Sequence, residues 1–112
     1  MIHIQIFKDS TQRVSGVKIS GHAGQATYGS DVICSAVSVL VLSTINGLKQ
    51  VAGAKGPKKV DEGDICFSLV EENDENIMAA AQILLKSFSN AIENMAKENP
   101  DYVTAVYEEV EK

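Results

Sequence analysis

Tryptophan is absent from this chain, and tyrosine and phenylalanine number only three each. The core must therefore be built from Val, Ile, Leu and Ala. Proline occurs twice and cysteine twice, and the two cysteines stand 32 positions apart. That spacing makes neither a disulfide framework nor a metal-binding motif, so the thiols are expected to be reduced. Basic residues are outnumbered, 10 against 15 acidic, for a net charge of −5. Binding to nucleic-acid backbone or to an anionic membrane needs clustered Lys and Arg, and this balance argues against both. The opening residues Met1-Ile2-His3-Ile4 lack the basic start and cleavage site of a signal peptide. The apolar run Val32–Leu42 is short for a bilayer and contains Ser and Cys. A cytoplasmic chain is expected.

What is present fits one domain over 1–112, with 45% apolar residues to fill a single core. Ile2, Ile4 and Ile6 alternate, which is the period of a half-buried strand. Thr11-Gln12 is a plausible turn into a second strand, Val14–Ser20. Gly21–Ser30 has three glycines and no period and reads as a loop, with Ser30 or Asp31 placed to cap a helix. From Val32 to about Gln50 that helix is apolar nearly all round, so it is buried on several sides or meets another subunit. Val51–Asp64, with three glycines, Pro57 and Lys58-Lys59, reads as an exposed connection. Asp64–Val70 alternates as a strand. Asn73 or Asp74 starts a second helix reaching about Asn99, and Tyr102–Val110 alternates again. The order β-β-α-β-α-β implies an α+β fold, with two helices on one face of a four-stranded sheet.

Chemistry concentrates between Gly21 and Ser38. Cys34 is expected in the first turn of the long helix, where unpaired amides and the helix dipole favour a thiolate and can hold an oxyanion. A packed structural cysteine fits the same position. His22 precedes it by twelve residues on Gly21-His22-Ala23-Gly24. A neutral imidazole there can take the thiol proton and return it to a leaving amine, and the glycines leave room for a peptide. A surface histidine is the plainer alternative. Asp31 can cap the helix, orient His22 or meet a basic group of a substrate. Ser38 shares the face of Cys34 one turn on. Tyr28 lines a pocket or is an ordinary loop tyrosine. His3 reads as a solvated strand residue, and Cys66 as a packed or half-exposed thiol without a base beside it. No cluster has metal-ligand spacing, and Gly53-Ala54-Lys55-Gly56 is not a phosphate loop. No cofactor is expected. On these residues alone a protease, a thiol transferase or peroxidase, and a non-enzymatic binding protein all remain open.

The run GHAGQATYGSDVICSAVSVL, beginning at Gly21, resembles the ribosomal-processing cysteine proteases of Firmicutes and related bacteria. The resemblance extends to length and element order. It implies a homodimeric α+β cysteine endopeptidase that removes the N-terminal extension of a large-subunit ribosomal protein, cutting after paired aromatics. It assigns the nucleophile to Cys34 and the base to His22, with Gly21, Asp31 and Ser38 in support. Substrate would lie beneath the loop Gly24–Ser30. Ser35 stands where the family often has Ala, and Gln25, Ala26, Thr27 and Ser30 are less typical, which bears on substrate fit. The alternative is a ribosome-assembly binding protein in which Cys34 is merely buried.

Overall fold

In the computed structural model, the described residues are 1–21, 28–56, 58–61 and 64–110. They form β1 (Ile2–Lys8), β2 (Val14–Ser20), α1 (Tyr28–Gln50), β3 (Lys58–Asp61), β4 (Asp64–Ser68), α2 (Glu75–Glu98) and β5 (Val103–Glu109). The α+β class holds. The sheet, however, has five strands rather than four, in the order β3-β4-β2-β1-β5. β5 joins β1 in parallel, and the other pairings are antiparallel.

The extra strand is β3, inside the segment expected to be an exposed connection. Lys58-Lys59-Val60-Asp61 has no period long enough to betray a strand. Pairing with β4 supplies what the local sequence does not, with Val60 opposite Ile65 and Lys59 opposite Cys66.

Alternation in the strands divides the sheet into two faces. Ile2, Ile4, Ile6, Val17, Ile19, Ile65 and Phe67 are buried on one side, in a single core with residues from both helices. Both helices therefore cover that face. α2 contributes Met78, Ala81, Leu85, Phe88 and Ile92, spaced three and four apart. Its start is fixed by Asp74, whose carboxylate accepts from the amides of Asn76 and Ile77 at 2.8 and 3.1 Å. α1 contributes Val37, Val41, Ile45 and Leu48.

α1 begins at Tyr28, so Ser30 and Asp31 lie within the helix and not at the cap position before it. Its uncharged stretch also runs past Leu42. Val32–Gln50 is long and apolar enough to cross a bilayer by length and composition, but here it is the core helix of the sheet, with its outer side exposed.

Candidate active site

The face of α1 that meets the sheet determines the position of Cys34. Buried Val37, Val41, Ile45 and Leu48 recur at spacings of four, four and three. Cys34 stands three residues before Val37, so it extends the same stripe toward the helix start. It packs against the core and remains half-buried. The thiol thus sits at the margin of the core, reachable from outside. Ser38, four residues on, shares that side of the helix and is also half-buried.

With the helix starting at Tyr28, Cys34 is in its second turn and not, as the sequence suggested, its first. Among the described residues, the amides without an intrahelical acceptor belong to Tyr28–Ser30. Side-chain bonds in an α-helix tilt toward its N-terminus, so the thiol leans toward that opening turn. The extra turn arises because Tyr28, Gly29 and Ser30, which read locally as loop, are drawn into the helix.

Gly21 ends β2 on the other side of the segment. Its φ is +82°, and a Cβ there would run into the carbonyl oxygen of Met1. Both the left-handed backbone and the close approach of the chain start require glycine. His22, Ala23, Gly24 and the rest of 22–27 lie outside the described residues, and with them the meeting of His22 and Cys34. Asp31 is placed in the helix backbone, and Tyr28 is its first residue.

The residues set aside in the sequence behave as expected. His3 is exposed on the uncovered face of the sheet, its Nδ1 2.9 Å from Thr104 Oγ1. Cys66 is half-buried on that same face, between Lys18 and Lys59 in register. Among the described residues, no group of three His, Cys, Asp or Glu could hold a metal ion. Sequence reasoning passed over the hollow around Cys66. Gly16 inside a strand was the available signal, since a strand glycine often marks a close backbone approach.

Residues 1–104 match the family described as cysteine protease Prp. The ribosomal processing cysteine protease Prp of Bacillus subtilis is 24% identical over 103 residues, covering 90% of this chain and 92% of the relative. Its counterpart in Staphylococcus aureus is 25% identical, covering 88% and 94%. Among solved structures, SMU.848 of Streptococcus mutans superposes with a TM-score of 0.87 at 27% identity, covering 98% of this chain and 96% of that one. The S. aureus Prp bound to a substrate peptide gives 0.86 at 19% identity, covering 96% and 100%, and so speaks to the fold. A family match that takes in both strands, the glycine turn and the cysteine-bearing helix leaves one conclusion: this chain belongs to the cysteine protease Prp family and is a cysteine-type peptidase.

Proposed function

We propose that this protein removes the N-terminal extension of a large-subunit ribosomal protein, with Cys34 as nucleophile and His22 as general base and acid. The observation that carries the reading is the family match over 1–104, which spans Cys34, the thiol packed at the margin of the helix-covered core. The names of the Bacillus and Staphylococcus relatives support the choice of substrate. A non-enzymatic assembly role is not favoured.

His22 takes the Cys34 proton, and the thiolate sulfur attacks the scissile carbonyl carbon. Free amides of the opening turn Tyr28–Ser30 stabilise the oxyanion. As the C–N bond breaks, the imidazolium gives its proton to the leaving amine, and an acyl thioester remains on Cys34. Water, deprotonated by His22, then cleaves the thioester and frees the thiol. Gly21 positions the histidine segment, Ser38 supports the thiol from the next turn, and Asp31 orients His22 or meets the substrate. The enzyme works in the cytoplasm as a homodimer, joined through the outer side of α1. That side exposes Val32, Val39 and Leu42 and has no charge from Val32 to Leu48.

The test is incubation with the ribosomal protein precursor, with product masses compared for the unaltered enzyme and Cys34→Ala. One cut after the paired aromatics, lost in Cys34→Ala and in His22→Ala, is expected. Cleavage that persists in Cys34→Ala would remove the nucleophile assignment, and an intact precursor with the unaltered enzyme would remove the substrate.

A further inference from the structure

The uncovered face of the sheet holds a hollow of about 380 Å³ that the proteolytic reading does not use. Gly16 creates it. In register, Gly16 lies between Phe7 and Ser68, so the row across three strands runs from an aromatic ring to no side chain to a small one. Nothing larger than hydrogen is easily placed at Gly16, because a Cβ would stand 2.8 Å from the carbonyl oxygen of Phe67. The close approach of β2 and β4 therefore preserves the depression. Phe7, Val70 and Val110 give it apolar walls, with Cys66 on the floor.

Its charge is opposite to that of the molecule. The chain carries −5 overall, yet the charged side chains on this face that line the hollow are Lys18 and Lys59, and among the described lining residues there is no carboxylate. Lys18 and Lys59 flank Cys66 directly across the strands. Both lysines are exposed. An apolar depression with an ammonium rim matches an apolar side chain with carboxylates beside it. The hollow opens broadly to solvent, which suits a segment of chain laid across the face better than an enclosed small molecule.

The geometry points to a peptide-docking site on the face opposite the helices, for an extended acidic segment of a partner protein that seats one aromatic or aliphatic side chain over Gly16. Cys34 packs into the core on the helix-covered face. An occupant of the hollow therefore does not compete for the cysteine, and the docking site and the peptidase centre act as separate surfaces.

The probe is a fluorescein-labelled Glu-Glu-Leu-Phe-Glu-Glu peptide, with Lys-Lys-Leu-Phe-Lys-Lys as control, read by anisotropy on the full chain. The acidic peptide is expected to bind at least about tenfold more tightly. Joint replacement Lys18→Glu and Lys59→Glu weakens it by about tenfold or more, whereas Lys18→Arg with Lys59→Arg retains it. In a Cys34→Ala background the acidic peptide also slows alkylation of Cys66, which reads occupancy of the floor directly. Circular dichroism checks that each variant is folded. Equal binding of the two peptides overturns the proposal, as does unchanged binding by the folded Glu double variant. Full displacement by octanoate, with no protection of Cys66 by the peptide, replaces it with a small-amphiphile site.

Discussion

Gly21 carries two constraints that a substitution would violate together. Its φ of +82° is left-handed, and a Cβ would meet the carbonyl oxygen of Met1. A non-glycine residue held in that region costs about 1–3 kcal/mol, before any movement of the N-terminal strand is counted. Gly21→Ala is therefore expected to lower the unfolding free energy by about 2 kcal/mol, read from the midpoint of urea denaturation at unchanged slope. Because the residue adjoins His22, kcat for precursor cleavage should fall further than the loss of folded protein explains. An unchanged midpoint would mean that the backbone leaves the left-handed region at no cost, and the steric account of this glycine would fail. In the sequence Cys34 stands out as a candidate, since a thiol, a spaced histidine and flanking glycines make a recognisable chemical set. Its place in the helix was not legible there. Asp31 has the side chain of a cap, yet the helix starts three residues before it, at Tyr28.

Elements were readable where their signals are local. The second helix was found almost whole, because a cap at Asp74 and a stripe of apolar residues both belong to its own sequence. Strand β3 was missed, because two lysines and one valine become a strand only when β4 lies beside them. The order of strands was out of reach for the same reason, as the β1–β5 pairing joins residues about a hundred positions apart. The turn between β1 and β2 yields a prediction of its own. Asp9 accepts from the Thr11 hydroxyl at 2.6 Å, the Thr11 amide at 2.8 Å and the Arg13 amide at 3.1 Å. The Thr11 hydroxyl, against the opposing effect of burial, holds the Asp9 carboxyl below its ordinary value of 3.8, with the two amides and Arg13 adding to it. A depressed folded pKa stabilises the protein above the unfolded value, and that contribution disappears as pH falls through the folded one. Asp9→Asn should thus cost roughly 1 kcal/mol at pH 6. The gap between variant and wild type should narrow below about pH 4, measured by urea unfolding across the range. A gap that stays constant down to pH 2 would show that shape, not charge, makes this turn.

At the scale of the molecule, two surfaces depart from the ordinary polar exterior: the lysine-rimmed hollow on the open sheet face and the outer side of α1. Val32, Val39 and Leu42 are 50%, 69% and 39% exposed, and Ser35, Ala36 and Ser43 lie exposed between them. Large and small residues alternate along a stripe about 17 Å long, which is the pattern by which two identical helices interlock about a two-fold axis. No side chain on that stripe offers the charge that keeps a surface helix in water. In the proposed homodimer a second copy would cover it with the same residues that need covering, so the contact would close at a dimer and leave no sticky edge. Val39 is the most exposed of the three large residues, and a carboxylate there would face its own copy across the axis. Val39→Glu is therefore expected to turn a dimer into a folded monomer at micromolar concentration, by sedimentation velocity, whereas Val39→Leu keeps the dimer. The buried side of the helix is untouched by either change, so the circular dichroism spectrum should remain that of the wild type. A Val39→Glu protein that still sediments as a dimer would place the subunit contact elsewhere, and the open face of the sheet, with its hollow, would be the next surface to charge.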